Sequence, residues 1–362
     1  MDRLIEAIEA KESPVVVGLD PTEALVPPQV TACLNDFRID DVDRFITDLK
    51  ASDSPDDKRL LTWLNEANES ETRRIAAAAM ARSAQFSGAC IVMGFYRFNQ
   101  AVIDAVKDIV PAVKPQVAMY EAYGSIGFDA YRMTCQYAQE QGLYVLGDIK
   151  RGDIGSTAAA YAKHLTGVNS LENDCNGQPW REDAVTVNPY FGVDGIRPFT
   201  DAAKANDRDV FALVRTSNPS SREIQELELV GGERLYEHVA DLVEKWGSDS
   251  IGAYGYSRLG AVVGATHPEQ GRALRERMPH TFFLVPGYGA QGGTAQDAAN
   301  MFDADGRGAI VNSSRGIIGA WKKSEQWHND MTSDEALDLV GRCAREAAIA
   351  MRDDLRTALH ER

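Results

Sequence analysis

The sequence lacks the residue spacings that disulfide frameworks and metal sites need. Its five cysteines are scattered, odd in number and never spaced as C-x-x-C. Its six histidines include no H-x-x-x-H spacing, and none lies near a cysteine in a ligand-like pattern. We therefore expect neither a disulfide framework nor a metal site.

Lysine is scarce, and the charge is strongly one-sided. The 362 residues include 11 lysines and 27 arginines against 54 acidic residues, which gives a formal net charge of −16. So acidic a surface repels nucleic acid and anionic membranes, and neither is an expected partner. The composition is typical of a protein from a high-salt cytoplasm, where excess surface charge maintains solubility. A site for an anion would have to concentrate the few cations, so the position of each lysine is informative.

Long apolar runs are also missing. No run approaches the ~20 apolar residues that cross a bilayer. The segment from Met1 to Ala10 is charged and amphipathic, unlike a signal peptide. Hydrophobic residues nevertheless make up 44% of the chain, which is enough for a large core. We expect a soluble, cytoplasmic protein.

The sequence does contain a regular alternation of short apolar runs and segments of helical period. Eight candidate strands, each followed by a helical segment, predict parallel βαβ units. Eight strands close a (β/α)8 TIM barrel, whereas a doubly wound open sheet, the alternative, usually has fewer. The predicted strands are Val15–Leu19, Ala112–Met119, Leu143–Asp148, Ala184–Asn188, Val210–Arg215, Gly260–Gly264, Thr281–Pro286 and Gly308–Asn312.

The first βα unit is expanded. Before the second strand lie an acidic insertion at 36–57 and a long Ala-rich helical segment, and the run Ala89–Met93 is either an extra strand or a turn of core. A polar loop is expected at Asn169–Asp183, and a C-terminal helix at 333–359 is expected to close the outer ring of the barrel. Because there is no repeat and no low-complexity linker, residues 1–362 are predicted to form one domain.

One strand end carries a cluster of charged residues. At 147–155 the sequence GDIKRGDIG passes from a strand into a helix. Side chains two apart on a strand point the same way, so Asp148 and Lys150 share a face. Gly152 permits a sharp turn, after which Asp153 can either swing back towards them or reach outward near the N-terminus of the next helix. Two carboxylates keep a lysine protonated, which makes it a proton donor and electrostatic stabiliser rather than a nucleophile. A structural ion pair would have the same spacing, but a place at the catalytic mouth of a barrel favours function.

Two glycine-containing loops follow the seventh and eighth predicted strands. They are PGYGAQGG at 286–293 and SSRG at 313–316, where barrels of this kind bind phosphate. Arg315 is the expected bidentate partner of the phosphate, and Gln291 is a neutral donor on a closing loop. Either loop alone is consistent with simple chain reversal. The two together predict a phosphorylated substrate.

Two further polar residues belong to the same predicted mouth. Asp20 ends the first strand, where its carboxylate can accept hydrogen bonds from sugar hydroxyls. Lys114 lies inside an apolar strand, where a lone lysine is more often exposed at an edge. Here it faces the same rim and can complete a charge network with Asp148 and Lys150.

Together these motifs resemble the orotidine 5′-phosphate decarboxylase family, and most closely its longer subgroup, which has an expanded first βα unit. The resemblance covers nearly the whole chain. It rests on VGLDP at 17–21, AVKPQVAMYEAYG at 112–124, GDIKRGDIGSTAAAYA at 147–162, DAVTVNPYFG at 183–192, GAVVGAT at 260–266, PGYGAQGG at 286–293 and SSRG at 313–316. It implies decarboxylation of orotidine 5′-phosphate to UMP without a cofactor.

The resemblance also implies a role for each matching residue. Lys150 matches the lysine that protonates C6 of the pyrimidine, and Asp148 matches the carboxylate set against the substrate's leaving carboxylate. Asp153 matches an aspartate that the neighbouring subunit contributes, which implies a homodimer. The remaining matches are Ile154 and Thr157 beside that aspartate, Asp20 and Lys114 at the ribose, Gln291 and Arg315 at the phosphate, and either Thr216 or Ser217 at the pyrimidine edge.

Two other functions would use parts of the same pattern. Sister families reuse D-x-K-x-x-D in magnesium-dependent phosphosugar aldolases or decarboxylases, which resemble each other in an acidic metal ligand on the second strand. This chain has Lys114 in that region. A non-catalytic phosphate-binding barrel would show gaps in the charge network, and the positions identified have none. The sequence therefore favours a carbon–carbon lyase.

Overall fold

The computed structural model describes residues 1–31, 91–169, 176–177 and 179–362, together with Lys58. Eight parallel strands close into a barrel, and each strand is hydrogen-bonded to its neighbours in chain order. The predicted (β/α)8 TIM barrel is confirmed. The strands are β1 (Val15–Leu19), β2 (Ala112–Pro115), β3 (Tyr144–Arg151), β4 (Ala184–Val187), β5 (Asp209–Arg215), β6 (Leu259–Val263), β7 (Phe283–Val285) and β8 (Ala309–Ser313).

Helices alternate with these strands and cover the outside of the barrel. None of the helices in the described ranges combines the length and apolar character that a bilayer-spanning helix requires. The helices are α1 (Asp2–Lys11), α2 (Pro28–Thr31), α3 (91–106), α4 (Ala118–Glu121), α5 (Gly124–Glu140), α6 (Gly155–Tyr161), α7 (Lys163–Thr166), α8 (Val193–Asn206), α9 (Arg222–Gln225), α10 (Leu235–Gly247), α11 (Pro268–Arg277), α12 (Ala295–Ala299), α13 (Arg315–Ile318) and α14 (Ser333–His360).

Most predicted strands agree with those observed to within one or two residues, but β3 continues to Arg151, three residues past its predicted end, and two other segments also differ. The second strand was predicted to continue to Met119 but ends at Pro115, because the chain turns into α4 at Ala118. In the run Ala89–Met93, residues 91–93 belong to helix α3 and not to a strand, while Ala89 and Cys90 lie outside the described residues. The helical period of the buried side chains that follow, including Phe95 and Phe98, explains the difference.

Parts of the expanded first unit lie outside the described residues. These parts include the predicted acidic insertion at 36–57 and almost all of the helical segment between it and α3. Much of the loop Asn169–Asp183 also lies outside them. An antiparallel pair of short strands, Val168–Asn169 with Asn176–Gly177, flanks that loop. That the whole chain forms one domain stays a prediction.

The core has two parts, one inside the barrel and one between the barrel and its helices. Strand residues alternate between the two, as side chains on a pleated strand must. Val16, Leu146, Phe211 and Ile310 belong to the interior group. Outward-facing residues such as Val17 pack against the helices.

Helix α1 closes the lower end of the barrel. Its buried Leu4 and Ile5 pack against the interior group. The amino group of Met1 forms a buried ion pair with Asp209, the first residue of β5. Apolar side chains fill most of the lower end, and its buried carboxylate, Asp209, is paired with Met1, so the polar interior positions that face a cavity lie towards the C-terminal ends of the strands.

The same alternation determines which side chains face the upper end of the barrel. Lys114, Asp148, Thr186 and Asn312 each lie two positions after a residue of the interior group. All four are therefore directed into the mouth of the barrel, where the strands end.

The C-terminal helix α14 completes the outer ring, as predicted. Its buried residues recur on one face, and Thr332 forms a capping box with Glu335 at the start of the helix. The helix packs beside α12, α13 and β1.

The plug formed by α1 gives a stability prediction. Leu4 is fully buried, so we expect Leu4→Ala to lower the free energy of unfolding by about 2–5 kcal/mol, measured by urea denaturation. Leu227, which is 55% exposed, supplies the matched control, and Leu227→Ala should change stability by less than about 0.5 kcal/mol. Equal small effects would contradict the role given to the plug.

Candidate active site

The centre of the barrel mouth is a carboxylate held between two lysines. Lys114 Nζ lies 2.6 Å from Asp148 Oδ2, and Lys150 Nζ lies 2.5 Å from Asp148 Oδ1. Two neutral donors complete the shell, with Gln116 Nε2 at 3.0 Å from Oδ2 and Thr186 Oγ1 at 2.9 Å from Oδ1. Each carboxylate oxygen therefore accepts one charged and one neutral hydrogen bond.

This shell decides the charge of the carboxyl group. Burial of Asp148 would raise its pKa, but the ammonium groups of Lys114 and Lys150 outweigh burial and hold that pKa well below its usual range. Burial likewise opposes the charge of Lys114, yet the carboxylates of Asp148 and Asp20 raise its pKa above the ordinary value. Asp148 and Lys114 therefore both favour their charged forms inside the protein.

Asp148 and Lys150 meet in a different way from the one expected. The prediction relied on a regular strand, in which residues two apart share a face. The backbone instead leaves the regular strand conformation at Lys150, where φ is +45°. The side chain of Lys150 is 44% exposed and reaches the cavity from the rim, while that of Asp148 is buried. The predicted contact is present, and its geometric reason is corrected.

Asp20 adds a second carboxylate to the network. Lys114 Nζ lies 3.9 Å from Asp20 Oδ1, which is farther than a hydrogen bond. That oxygen is buried and has no hydrogen-bond partner among the described residues. A buried acceptor in this state can bind a donor from a ligand, such as a sugar hydroxyl.

These groups line one cavity of about 530 Å³ at the mouth of the barrel. The volume suits a nucleotide-sized ligand. Eight of the eleven residues predicted for the site line this cavity: Asp20, Lys114, Asp148, Lys150, Thr216, Ser217, Gln291 and Arg315.

The two glycine-containing loops form one wall of the cavity. In the loop after β7, Gly287, Gly289 and Gly292 all have positive φ, which only glycine adopts freely. A hydrogen bond of 3.0 Å from Gly293 N to Gly287 O closes this loop into a tight turn. Arg315, which begins α13 after β8, lines the cavity beside Gln291. The predicted phosphate residues are thus brought together.

Beyond β5, the structure distinguishes the two hydroxyl residues left open by the sequence. Thr216 Oγ1 accepts from Gln225 Nε2 at 2.7 Å and donates to Asn218 Oδ1 at 2.7 Å. Ser217 Oγ has no hydrogen bond to any described residue, although Ser217 lines the cavity. The buried guanidinium of Arg215 holds the side chain of Gln225 in place, since it donates a hydrogen bond to Gln225 Oε1 at 3.1 Å.

Asp153, Ile154 and Thr157 do not line the cavity of their own chain. The carboxylate of Asp153 accepts from the backbone N–H of Ile154 at 2.7 Å, at the start of α6. Ile154 is 53% exposed, and Thr157 is also exposed. Of the two positions that the spacing left open for Asp153, the contact at the N-terminus of α6 is the one observed, and no described contact joins Asp153 to Lys150.

Several cavity residues were not predicted from the sequence. They are Gln116, Thr186, Leu213, Asn218, Gln225, Val262, Leu284, Pro286, Gly287, Tyr288, Ala290, Asn312, Ser313 and Ser314. Strand alternation could have found three of the polar ones. Gln116, Thr186 and Asn312 each lie two residues after an inward-facing position, so their side chains point into the barrel as well. Gln225 gave no such signal, since it lies on the short helix α9 after an irregular loop.

A metal site would need at least three ligating side chains close together. Within the described ranges, no three His, Cys, Asp or Glu side chains are grouped so that they could hold a metal ion. The position on β2 where the sister families have an acidic ligand is occupied by Lys114, which is buried and charged.

Comparison with known proteins agrees with this geometry. The sequence model of the orotidine 5′-phosphate decarboxylase / HUMPS family matches residues 61–329. The chain belongs to this family. It is 42% identical over 265 residues to the orotidine 5′-phosphate decarboxylase of Clostridium acetobutylicum, which covers 73% of this chain and 85% of that protein. With the enzyme of the same name from Rhodopirellula baltica, the identity is 45% over 235 residues, or 65% of this chain and 76% of the other.

Solved structures of family members share the fold. A Toxoplasma gondii protein, provisionally assigned as an orotidine-monophosphate decarboxylase, superposes with a TM-score of 0.68 at 26% identity. The match covers 100% of this chain and 97% of that one. The UMP synthase of Leishmania donovani superposes with a TM-score of 0.64 at 25% identity, covering 99% of this chain and 56% of that one.

The buried ion pair predicts a stability change that depends on pH. Lys114→Met leaves Asp148 without its buried partner, so we expect a loss of about 3–5 kcal/mol in the free energy of unfolding at neutral pH. The folded-state pKa of Asp148 lies below the unfolded value of about 3.9. Its stabilisation is therefore complete above about pH 4 and declines in more acidic solution, and the difference between variant and wild type should shrink there.

Urea denaturation over a pH series checks this. Lys107, which pairs with Asp104 on the surface at 2.8 Å, provides the control, and Lys107→Met should cost less than about 1 kcal/mol at any pH. Two results would refute the account of the buried pair. One is a similar loss in the free energy of unfolding for both variants, and the other is a loss for Lys114→Met that does not change with pH.

Proposed function

We propose that this protein decarboxylates orotidine 5′-phosphate to UMP and CO₂ without a cofactor. The observation that carries the proposal is the ionised Asp148 between Lys114 and Lys150, at one end of a cavity whose other wall holds Gln291 and Arg315. Family membership and the activity in the names of the curated relatives support it.

The reaction creates a charge that this network is suited to stabilise. When the bond between C6 and the carboxylate breaks, CO₂ leaves and the electron pair stays on C6, which has no attached electron sink. The ammonium of Lys150, held by Asp148 at 2.5 Å, stabilises that carbanion and gives it a proton. Solvent then restores the proton on Lys150, whose side chain is partly exposed.

The remaining cavity residues bind the parts of the nucleotide that do not react. Arg315 and Gln291 contact the phosphate, and Asp20 and Lys114 contact the ribose. Binding energy from the phosphate, gained as the loop with Gln291 closes, contributes to catalysis at the distant C6. Of the two hydroxyls after β5, Ser217 reads the pyrimidine edge, because the hydroxyl of Thr216 is already engaged by Gln225 and Asn218.

We also propose that the active unit is a homodimer, with Asp153 of each chain completing the site of the other. Asp153, Ile154 and Thr157 line no part of their own cavity and lie on the surface. Beside them, Tyr190 and Phe191 are exposed apolar residues, which suits a contact with a second copy of the chain. A cytoplasmic location and the absence of nucleic-acid partners stay predictions of the sequence.

The activity is tested by adding orotidine 5′-phosphate to protein stripped of metal with a chelator and following the loss of pyrimidine absorbance. We expect turnover by the wild type, and a fall of about 10³-fold or more for Lys150→Ala with UMP binding still detectable. Lys204→Ala, which removes a half-buried lysine that lies outside the cavity and pairs with Asp249, should leave turnover unchanged. Turnover only with added magnesium would instead favour the aldolase-like alternative, and UMP binding without any turnover would favour a phosphate-binding barrel.

The shared site makes a second prediction. Lys150→Ala and Asp153→Ala should each be inactive alone, but a mixture of the two should recover activity. Random exchange makes about half of the dimers hybrid, and each hybrid has one native site, so about a quarter of the wild-type activity should return. A mixture as inactive as its components would rule out a site shared in this way.

A further inference from the structure

The strand that carries the central aspartate and lysine is interrupted beside its neighbour β4. Gly147 pairs with Val185 and Arg151 pairs with Val187, with a register shift between the two pairs. Three residues of β3, from Asp148 to Lys150, therefore lie opposite a single residue of β4, Thr186. Such a bulge leaves ladder groups without backbone partners and redirects the side chains it contains.

Thr186 supplies the partners that the bulge removes. Its hydroxyl accepts a hydrogen bond from the backbone N–H of Lys150 at 3.0 Å and donates one to Asp148 Oδ1 at 2.9 Å. The same Oδ1 receives Lys150 Nζ. Three hydrogen bonds thus form a closed ring that ties the backbone of Lys150 to the carboxylate that its own side chain binds.

The directions of these bonds follow from the charge state. An ionised carboxylate can only accept, so the single hydroxyl proton of Thr186 points to Asp148 and leaves its lone pairs for the N–H of Lys150. Bonds to a charged group are the stronger kind, and this one is buried, since Thr186 is 1% exposed. The hydroxyl is therefore fixed in one orientation.

The backbone held by this ring is one that lysine rarely adopts. At φ +45°, Lys150 lies in the left-handed region, which a side chain disfavours and which persists only when its surroundings enforce it. The N–H of Lys150 is among the groups that define this conformation, and Thr186 is its partner.

We propose that Thr186 is a positioning residue, which holds Lys150 in its left-handed conformation so that the ammonium reaches the reacting carbon. The inference rests on the proposed decarboxylase activity. It assigns no substrate contact to Thr186, although Thr186 lines the cavity floor. It predicts a loss in the chemical step rather than in nucleotide binding.

Threonine offers a clean test, because valine has the same shape without the hydroxyl and serine keeps the hydroxyl. For Thr186→Val we expect kcat to fall by about 10- to 100-fold, as loss of a hydrogen bond to a charged group implies, while the Kd for UMP changes less than about twofold. Thr186→Ser should recover most of kcat. Thr200→Val, the same change at a buried threonine that bonds within α8, should keep wild-type kcat.

A second readout does not depend on turnover. The Lys150 backbone amide should be protected from hydrogen exchange in the wild type and in Thr186→Ser, and should exchange at least about tenfold faster in Thr186→Val. Should Thr186→Val fail to fold, Thr186→Ala takes its place in both measurements.

The outcomes separate this inference from the activity on which it rests. A wild type without turnover would remove the proposed function, and amide exchange would still show whether Thr186 holds Lys150. An active wild type whose kcat and Lys150 exchange survive Thr186→Val would overturn the positioning role. A variant that loses UMP affinity and thermal stability together, without rescue by serine, would also overturn it, because that is how a purely structural threonine behaves.

Discussion

The rest of the site depends on one physical constraint, the burial of a carboxylate that stays charged. A buried carboxylate is costly unless charged partners and full hydrogen bonding compensate for it. Asp148 receives Lys114 and Gln116 on one oxygen and Lys150 and Thr186 on the other. Because these donors come from three adjacent strands, the compensation exists only in the closed barrel, which links the integrity of the fold to the charge at the site.

The barrel explains why these groups meet at one end. Apolar side chains, the plug α1 and the ion pair of Met1 with Asp209 fill the lower interior, so the polar positions that face the cavity lie at the upper end. The loops after β7 and β8 place Gln291 and Arg315 in the lining of the same cavity as the lysines. Two of the eleven lysines of this acidic chain, Lys114 and Lys150, thus contact the same buried carboxylate.

Much of this arrangement is predictable from the sequence, because strand alternation and the place of strand ends are local properties. The eight strands, the mouth position of Lys114 and Asp148, and the two phosphate loops all follow from such patterns. The bulge at Lys150 does not, since a left-handed lysine depends on the hydroxyl of Thr186, which is 36 residues away in the chain. The proposal of Ser217 rather than Thr216 likewise depends on a contact between Thr216 and Gln225 on α9, which no periodicity predicts.

The charge of Asp148 is the central claim, and the ¹³Cγ chemical shift of this residue across a pH series measures it directly. The account predicts that the carboxylate of Asp148 remains ionised well below the pH near 3.9 at which an ordinary aspartate titrates. Lys114→Met, in the same experiment, should move the titration to higher pH. A wild-type carboxyl group that takes up its proton at or above pH 4 would contradict the account.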